Sequence, residues 1–103
     1  MILSYIVRQR IVIIHQTSCV VSPEGRLTTL GDHPFTATMS QLKTLSLVAQ
    51  GIPHKEIARK TGLAPGTIRN RLESLRGSNG GESTVSLVAR ALEFGLIHPN
   101  GRN

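Results

Sequence analysis

The stretch GIPHKEIARKTGLAPGTIRNRLESL, Gly51 to Leu75, decides how this chain is read. It predicts two short helices joined by a glycine corner. The first runs from Pro53 or His54 to Thr61, since proline is tolerated where a helix's first N–H groups have no intrahelical partner. Ile57 and Ala58 face inward, and the small Ala58 admits a second helix at close range. Gly62 supplies the left-handed residue that ends the first helix without a Cβ penalty, and Leu63 plugs the angle. The second helix starts near Pro65 and carries Ile68, Leu72 and Leu75 as one apolar stripe at helical period. Its opposite face carries Arg69, Asn70, Glu73 and Arg76. Alone, such a helix reads equally as an amphipathic surface helix with a solvated charged face. Ala58, Gly62 and Ile68 at these spacings, beside a basic face, favour a helix-turn-helix.

Working outward, Thr38 is placed to cap a preceding helix with Met39, Leu42, Leu45, Leu47, Val48 and Ala49, ending before Gly51. Downstream, GSNGGES predicts that the second helix frays after Arg76 and that the following link is mobile. Ser83 or Thr84 then caps a final helix carrying Val85, Leu87, Val88, Ala89, Ala91, Leu92 and Phe94, and Gly95 and Pro99 end it. It is apolar around more of its circumference than a small core requires. Residues 98–103 read as a disordered polar tail.

With these residues in view, residues 38–97 resemble the DNA-binding domain of the LuxR family of bacterial regulators, the GerE or FixJ type. VAQGIPHKEIARKTGLAPGTIRNRL is similar to that family's core stretch, and SLVARALEFGLI to its closing helix. The resemblance implies a mainly α fold, a four-helix helix-turn-helix domain over residues 36–97, and sequence-specific binding of double-stranded DNA by a homodimer on a roughly palindromic site. It implies that Arg69, Asn70 and Glu73 contact base edges, and that Lys55, Thr67, Arg71 and His54 contact phosphates. It also implies a dimer interface through Leu87, Val88, Ala91 and Leu92. Two departures stand out: TMSQLKTL lacks the acidic start usual for the family's first helix, and Arg71 replaces a common histidine.

Residues 1–35 lie outside the resemblance and read as β-structure. Ile11–Ile14, Cys19–Val21 and Leu27–Leu30 are β-branched or threonine-bearing runs. Ser22-Pro23-Glu24-Gly25 has the composition of a β-turn, which predicts a hairpin of Ser18–Ser22 with Arg26–Leu30 and a third strand at Ile11–His15. This is a short hairpin or small antiparallel sheet, joined to the helices through Gly31–Pro34. It leaves no room for a sensory or receiver domain.

The 103 residues carry a formal charge of +6, and the excess gathers on Lys55, Arg59, Lys60, Arg69, Arg71 and Arg76. Such a balance favours a polyanion partner, duplex DNA before RNA or an anionic membrane surface. Aromatic residues make up 3%, which argues against base-stacking platforms for single strands. Cys19 is the one cysteine, reads as a small buried hydrophobe, and fits a reducing cytoplasm, which the resemblance implies is bacterial, with association with the nucleoid. No signal peptide or membrane span is read, because Arg8 and Arg10 break the amino-terminal apolar residues. His15, His33, His54 and His98 have no ligand-like spacing, and no nucleophile, phosphate loop or carboxylate pair has a motif around it. The reading is therefore a transcription regulator with no cofactor, no metal and no enzymatic activity, meeting DNA, a second copy, and RNA polymerase or another regulator. Two rivals stay open: an antiactivator that occupies a partner LuxR-type regulator, and a nonspecific coating of DNA.

Overall fold

A computed structural model describes residues 10–14 and 17–98. The described residues form four strands and then four helices: β1 (Arg10–Ile14), β2 (Thr17–Val21), β3 (Arg26–Thr29), β4 (Thr36–Thr38), α1 (Met39–Ala49), α2 (His54–Thr61), α3 (Pro65–Ser78) and α4 (Thr84–Glu93). The strands make one antiparallel sheet in chain order. The architecture is therefore mixed α/β, about half helical, rather than mainly α.

The predicted hairpin is present as β2 and β3, with Cys19 opposite Thr29 and Val21 opposite Leu27. Its turn is closed by Gly25 N–H donating to the Ser22 carbonyl at 2.9 Å, and by Ser22 N–H donating to the Arg26 carbonyl at 2.9 Å. The third strand is present as β1, ending at Ile14; His15 and Gln16 lie outside the described residues, as do residues 1–9 and the 99–103 part of the expected tail. The fourth strand was not expected. Thr36–Thr38 pairs with β3 and leads without a break into α1. Phe35, just before it, and Ala37, at its centre, are fully buried in the same core as Leu45, Ile57, Ile68, Leu75 and Leu87, so sheet and helices share one interior.

Alternation sorts the strand residues. Cys19, Leu27, Thr29 and Ala37 are buried on the face that meets the helices, and burial raises the Cys19 thiol pKa. Ile11, Ile13 and Leu30 stand exposed, Ile11 and Ile13 on the outer face.

At the head of α1, Thr38 is the N-cap. Its hydroxyl accepts from Gln41 N–H while the Gln41 side chain accepts from Thr38 N–H at 3.0 Å, a complete capping box. The Thr38–Gln41 pair thus satisfies two terminal N–H groups in a helix whose first turn has no acid. The expected fraying of α3 after Arg76 is not what the structure has. The helix continues to Ser78, and Asn79 beyond it is buried. Gly80 and Gly81 take positive φ, which turns the chain back so that Gly81 N–H donates to the Arg76 carbonyl at 2.8 Å. The Arg76 guanidinium then donates through Nε to the Glu82 carbonyl at 3.0 Å. The link is thereby held at both ends, where its composition alone predicts mobility.

Candidate nucleic-acid interface

The two-helix unit follows the sequence closely. Pro53 stands at the N-cap of α2, and Gly62 ends the helix at φ +72°, its own N–H donating to Ala58 O. Leu63 N–H donates to the same carbonyl at 3.0 Å, and the Leu63 side chain packs against the core as the plug. Ile57 and Ala58 are buried, as are Ile68, Leu72 and Leu75. Pro65 opens α3 after Ala64, with no side-chain cap and no acid in the first turn.

Anchoring that stripe turns the other face of α3 to solvent. Arg69, Asn70 and Glu73 are all exposed, and none of them makes a side-chain hydrogen bond or ion pair among the described residues. All of their donors and acceptors are free. Of the expected phosphate contacts, Lys55 and His54 are exposed in the first turn of α2, while Thr67 and Arg71 are half-buried along α3. The six basic residues counted in the sequence divide into two groups. Lys55, Lys60, Arg69 and Arg71 carry no ion pair among the described residues. Arg59 is held by Glu56 in a two-pronged contact of 2.7 and 2.8 Å, and Arg76 gives its Nε–H to the Glu82 carbonyl. The Glu56 carboxylate therefore offsets one of the six charges that the sequence counts, that of Arg59.

Compared with protein-family models, with curated proteins and with solved structures, the chain finds no match. The likeness to LuxR-type domains rests on the residues quoted from the sequence.

The four residues expected in a dimer interface differ in burial. Leu87 and Ala91 are 0% exposed, enclosed in this chain's own core, and have no surface to give to a second copy. Val88 and Leu92 are half-buried and pack against that core. The phenyl rings of Phe35 and Phe94, and the apolar residues of α1 and α3, take up the face of α4 that its composition seemed to leave over. Val85 remains exposed at the first turn.

Two groups that sequence reasoning missed hold the interface in place. Asn79, just past α3, accepts from Thr36 N–H at 3.0 Å and donates to the Thr36 carbonyl at 2.9 Å and the Leu75 carbonyl at 2.8 Å. It closes the outer edge of β4 as a strand would and fixes the end of α3 to the sheet. Glu82 accepts from Ser86 at 2.8 Å and from Arg90, with His33 Nε2 at 3.4 Å. The Ser86 hydroxyl first, then the charge of Arg90 and the contact with His33, lower the Glu82 pKa against the opposing effect of burial. Arg90 also donates to the His33 carbonyl and lies 5.6 Å from the Phe35 ring centre and 5.9 Å from that of Phe94. One guanidinium thus joins the β3–β4 loop to α4.

No metal-holding group of histidine, cysteine and carboxylate is present among the described residues, and no described helix is long and apolar enough to cross a membrane.

Proposed function

We propose that this chain is a small transcription regulator that binds duplex DNA, as a homodimer on a roughly palindromic site, through α3. The observation that carries the reading is the outer face of that helix: Arg69, Asn70 and Glu73 exposed and unpaired, opposite a fully buried stripe of Ile68 and Leu75. A helix fixed on one face and chemically free on the other suits the major groove, which is wide enough to admit it. Arginine matches guanine O6 and N7, asparagine matches adenine, and glutamate accepts from cytosine N4, each good pair worth about 1–3 kcal/mol of discrimination. Lys55, His54, Thr67 and Arg71 flank this face and fix register on phosphates without reading sequence. The likeness of residues 38–97 to LuxR-type domains supports the same reading.

The experiment is selection from a random duplex library at roughly physiological salt, with the wild type and Arg69→Ala in parallel. The reading expects the wild type to enrich an inverted repeat and the variant to lose discrimination at one position of each half-site. Equal enrichment by both removes Arg69 from the groove. No enrichment by a folded wild type overturns DNA reading and leaves a protein-interaction role.

A further inference from the structure

The two edges of the sheet are treated differently. At β4, the outward N–H and C=O of Thr36 are taken by Asn79, and Thr38 N–H is taken by Gln41. At β1 the hydrogen-bond pattern leaves an open row. Ser18 accepts from Leu30 N–H, and Ser22 N–H donates to Arg26, so the even residues of β2 turn towards β3 and Thr17, Cys19 and Val21 turn towards β1. Their register partners are Ile14, Val12 and Arg10. Ile11 and Ile13 therefore direct their N–H and C=O groups out of the sheet, and nothing among the described residues meets them. Their side chains are also 71% and 72% exposed. An edge strand without proline, bulge or central charge, carrying two exposed isoleucines, is a template for pairing.

We propose that β1 is a dimerisation edge and that its occupant is β1 of a second copy of this chain, paired antiparallel about a two-fold axis at Val12. The sequence RIVII is self-complementary in that register. Ile11 faces the partner's Ile13 and Ile13 faces the partner's Ile11, and these are the residues whose backbone groups point outward, so four N–H···O bonds form. The same pairs set four isoleucine side chains together on the outer face, at the cross-strand distance where β-branched residues stabilise one another. Arg10 falls opposite the partner's Ile14, which keeps the two arginines about 13 Å apart along the strands. The contact is isologous and closes on itself, and the Asn79 and Gln41 side chains block the opposite edges, so pairing stops at two copies. The interface supplies the two-fold contact that DNA reading calls for, at a place other than α4. Its test contains no DNA, so either proposal fails alone.

The test is sedimentation velocity of the full chain from about 1 to 300 µM, a span that brackets moderate association, on the wild type, Ile11→Lys and Ile13→Pro. Proline at position 13 removes an outward N–H that makes no bond within the sheet, and is tolerated on an edge strand. The wild type is expected to reach twice its 11.2 kDa mass with rising concentration. Both variants are expected to weaken association about tenfold or more, since facing lysine charges or lost edge bonds enter twice in a two-fold contact. Amide exchange of the wild type needs no variant: Ile11 and Ile13 are expected to gain protection with protein concentration. A wild type that stays monomeric overturns the proposal, and protection of Ile11 and Ile13 at every concentration then marks the chain's own residues as the occupant. Dimers unaffected by both substitutions, or concentration-independent exchange at the two amides, place the interface elsewhere and overturn it equally.

Discussion

Asn79→Ala is expected to destabilise the fold far more than its place in a glycine- and serine-rich link suggests. The side chain is nearly buried and makes three hydrogen bonds of 2.8–3.0 Å, two to Thr36 and one to Leu75. Alanine removes all three and leaves one N–H and two carbonyls without their partner. At about 0.5–1.5 kcal/mol net for each bond, the loss comes to about 1.5–4.5 kcal/mol. Against the roughly 5–15 kcal/mol typical of a whole domain this is a large fraction. It corresponds to a fall in Tm on the order of 6–36 °C for a chain of this size. Urea unfolding followed by circular dichroism is the assay, with an unchanged m-value showing that the folded state is the one altered. Ser78→Ala is the control: its hydroxyl bonds only the Ser74 carbonyl at an exposed site, and it is expected within about 0.5 kcal/mol of wild type. Asn79→Asp keeps an acceptor for Thr36 N–H but loses both donors and sets a negative charge at the carbonyl end of α3, so it is also destabilising. An Asn79→Ala variant within about 0.5 kcal/mol of wild type refutes the claim that this amide stitches α3 to the sheet.

Other consequences are open to measurement. Glu82 has a folded-state pKa lowered chiefly by Ser86 and also by Arg90 and His33, so its contribution to stability is complete above the unfolded pKa of about 4.3 and is lost as pH falls through the lower folded value; Glu82→Gln should flatten that part of the urea midpoint-against-pH curve, and an unchanged curve counts against the network. Gly62 sits at φ +72°, where a Cβ costs about 1 kcal/mol or more, whereas Gly77 lies within α3 with open space around it. Gly62→Ala should therefore lower the thermal midpoint and Gly77→Ala raise it by the equivalent of about 0.5–1 kcal/mol. Phe35→Ala removes a fully buried ring shared by sheet and helices and should cost about 3–5 kcal/mol in a single transition seen alike by far-ultraviolet dichroism and by exchange of α3 amides; two separated transitions would show that sheet and helices unfold independently.

What the sequence made legible was local. The proline and glycine of Ser22–Gly25, the left-handed corner at Gly62 and the stripe Ile68, Leu72, Leu75 each depend on residues within a turn or two of one another, and each is where its chemistry puts it. The illegible parts depend on distant partners. Thr36–Thr38 has no apolar run to mark a strand; it is one because β3 lies on one side and Asn79, 43 residues later, completes the other. GSNGGES reads as a helix breaker by composition, yet its own Asn79, bonded to the Leu75 carbonyl, and the preceding Arg76, bonded to the Glu82 carbonyl, hold it in place. For α4, the number of apolar residues was readable but not how many of them the core would absorb. That depended on Phe35, whose burial could not be foreseen without β4.

The same asymmetry of edges bears on how a dimer would meet DNA. An antiparallel pair of β1 strands has its two-fold axis perpendicular to the sheet, so the helical layers of both copies lie on one side of a continuous eight-stranded sheet. Seven strand spacings of about 4.8 Å then separate the two β4 strands, or about 34 Å before twist is taken into account. Half-sites read by two-fold helix-turn-helix dimers lie about 34–36 Å apart, one turn of the duplex. Because Asn79 fixes the end of α3 to β4, that strand is where each α3 is anchored to the sheet, and the sheet sets the spacing between the two anchors. An α4-mediated dimer would make no use of the sheet's width. A sheet-edge dimer gives the four amino-terminal strands a mechanical task, as a ruler between two reading helices.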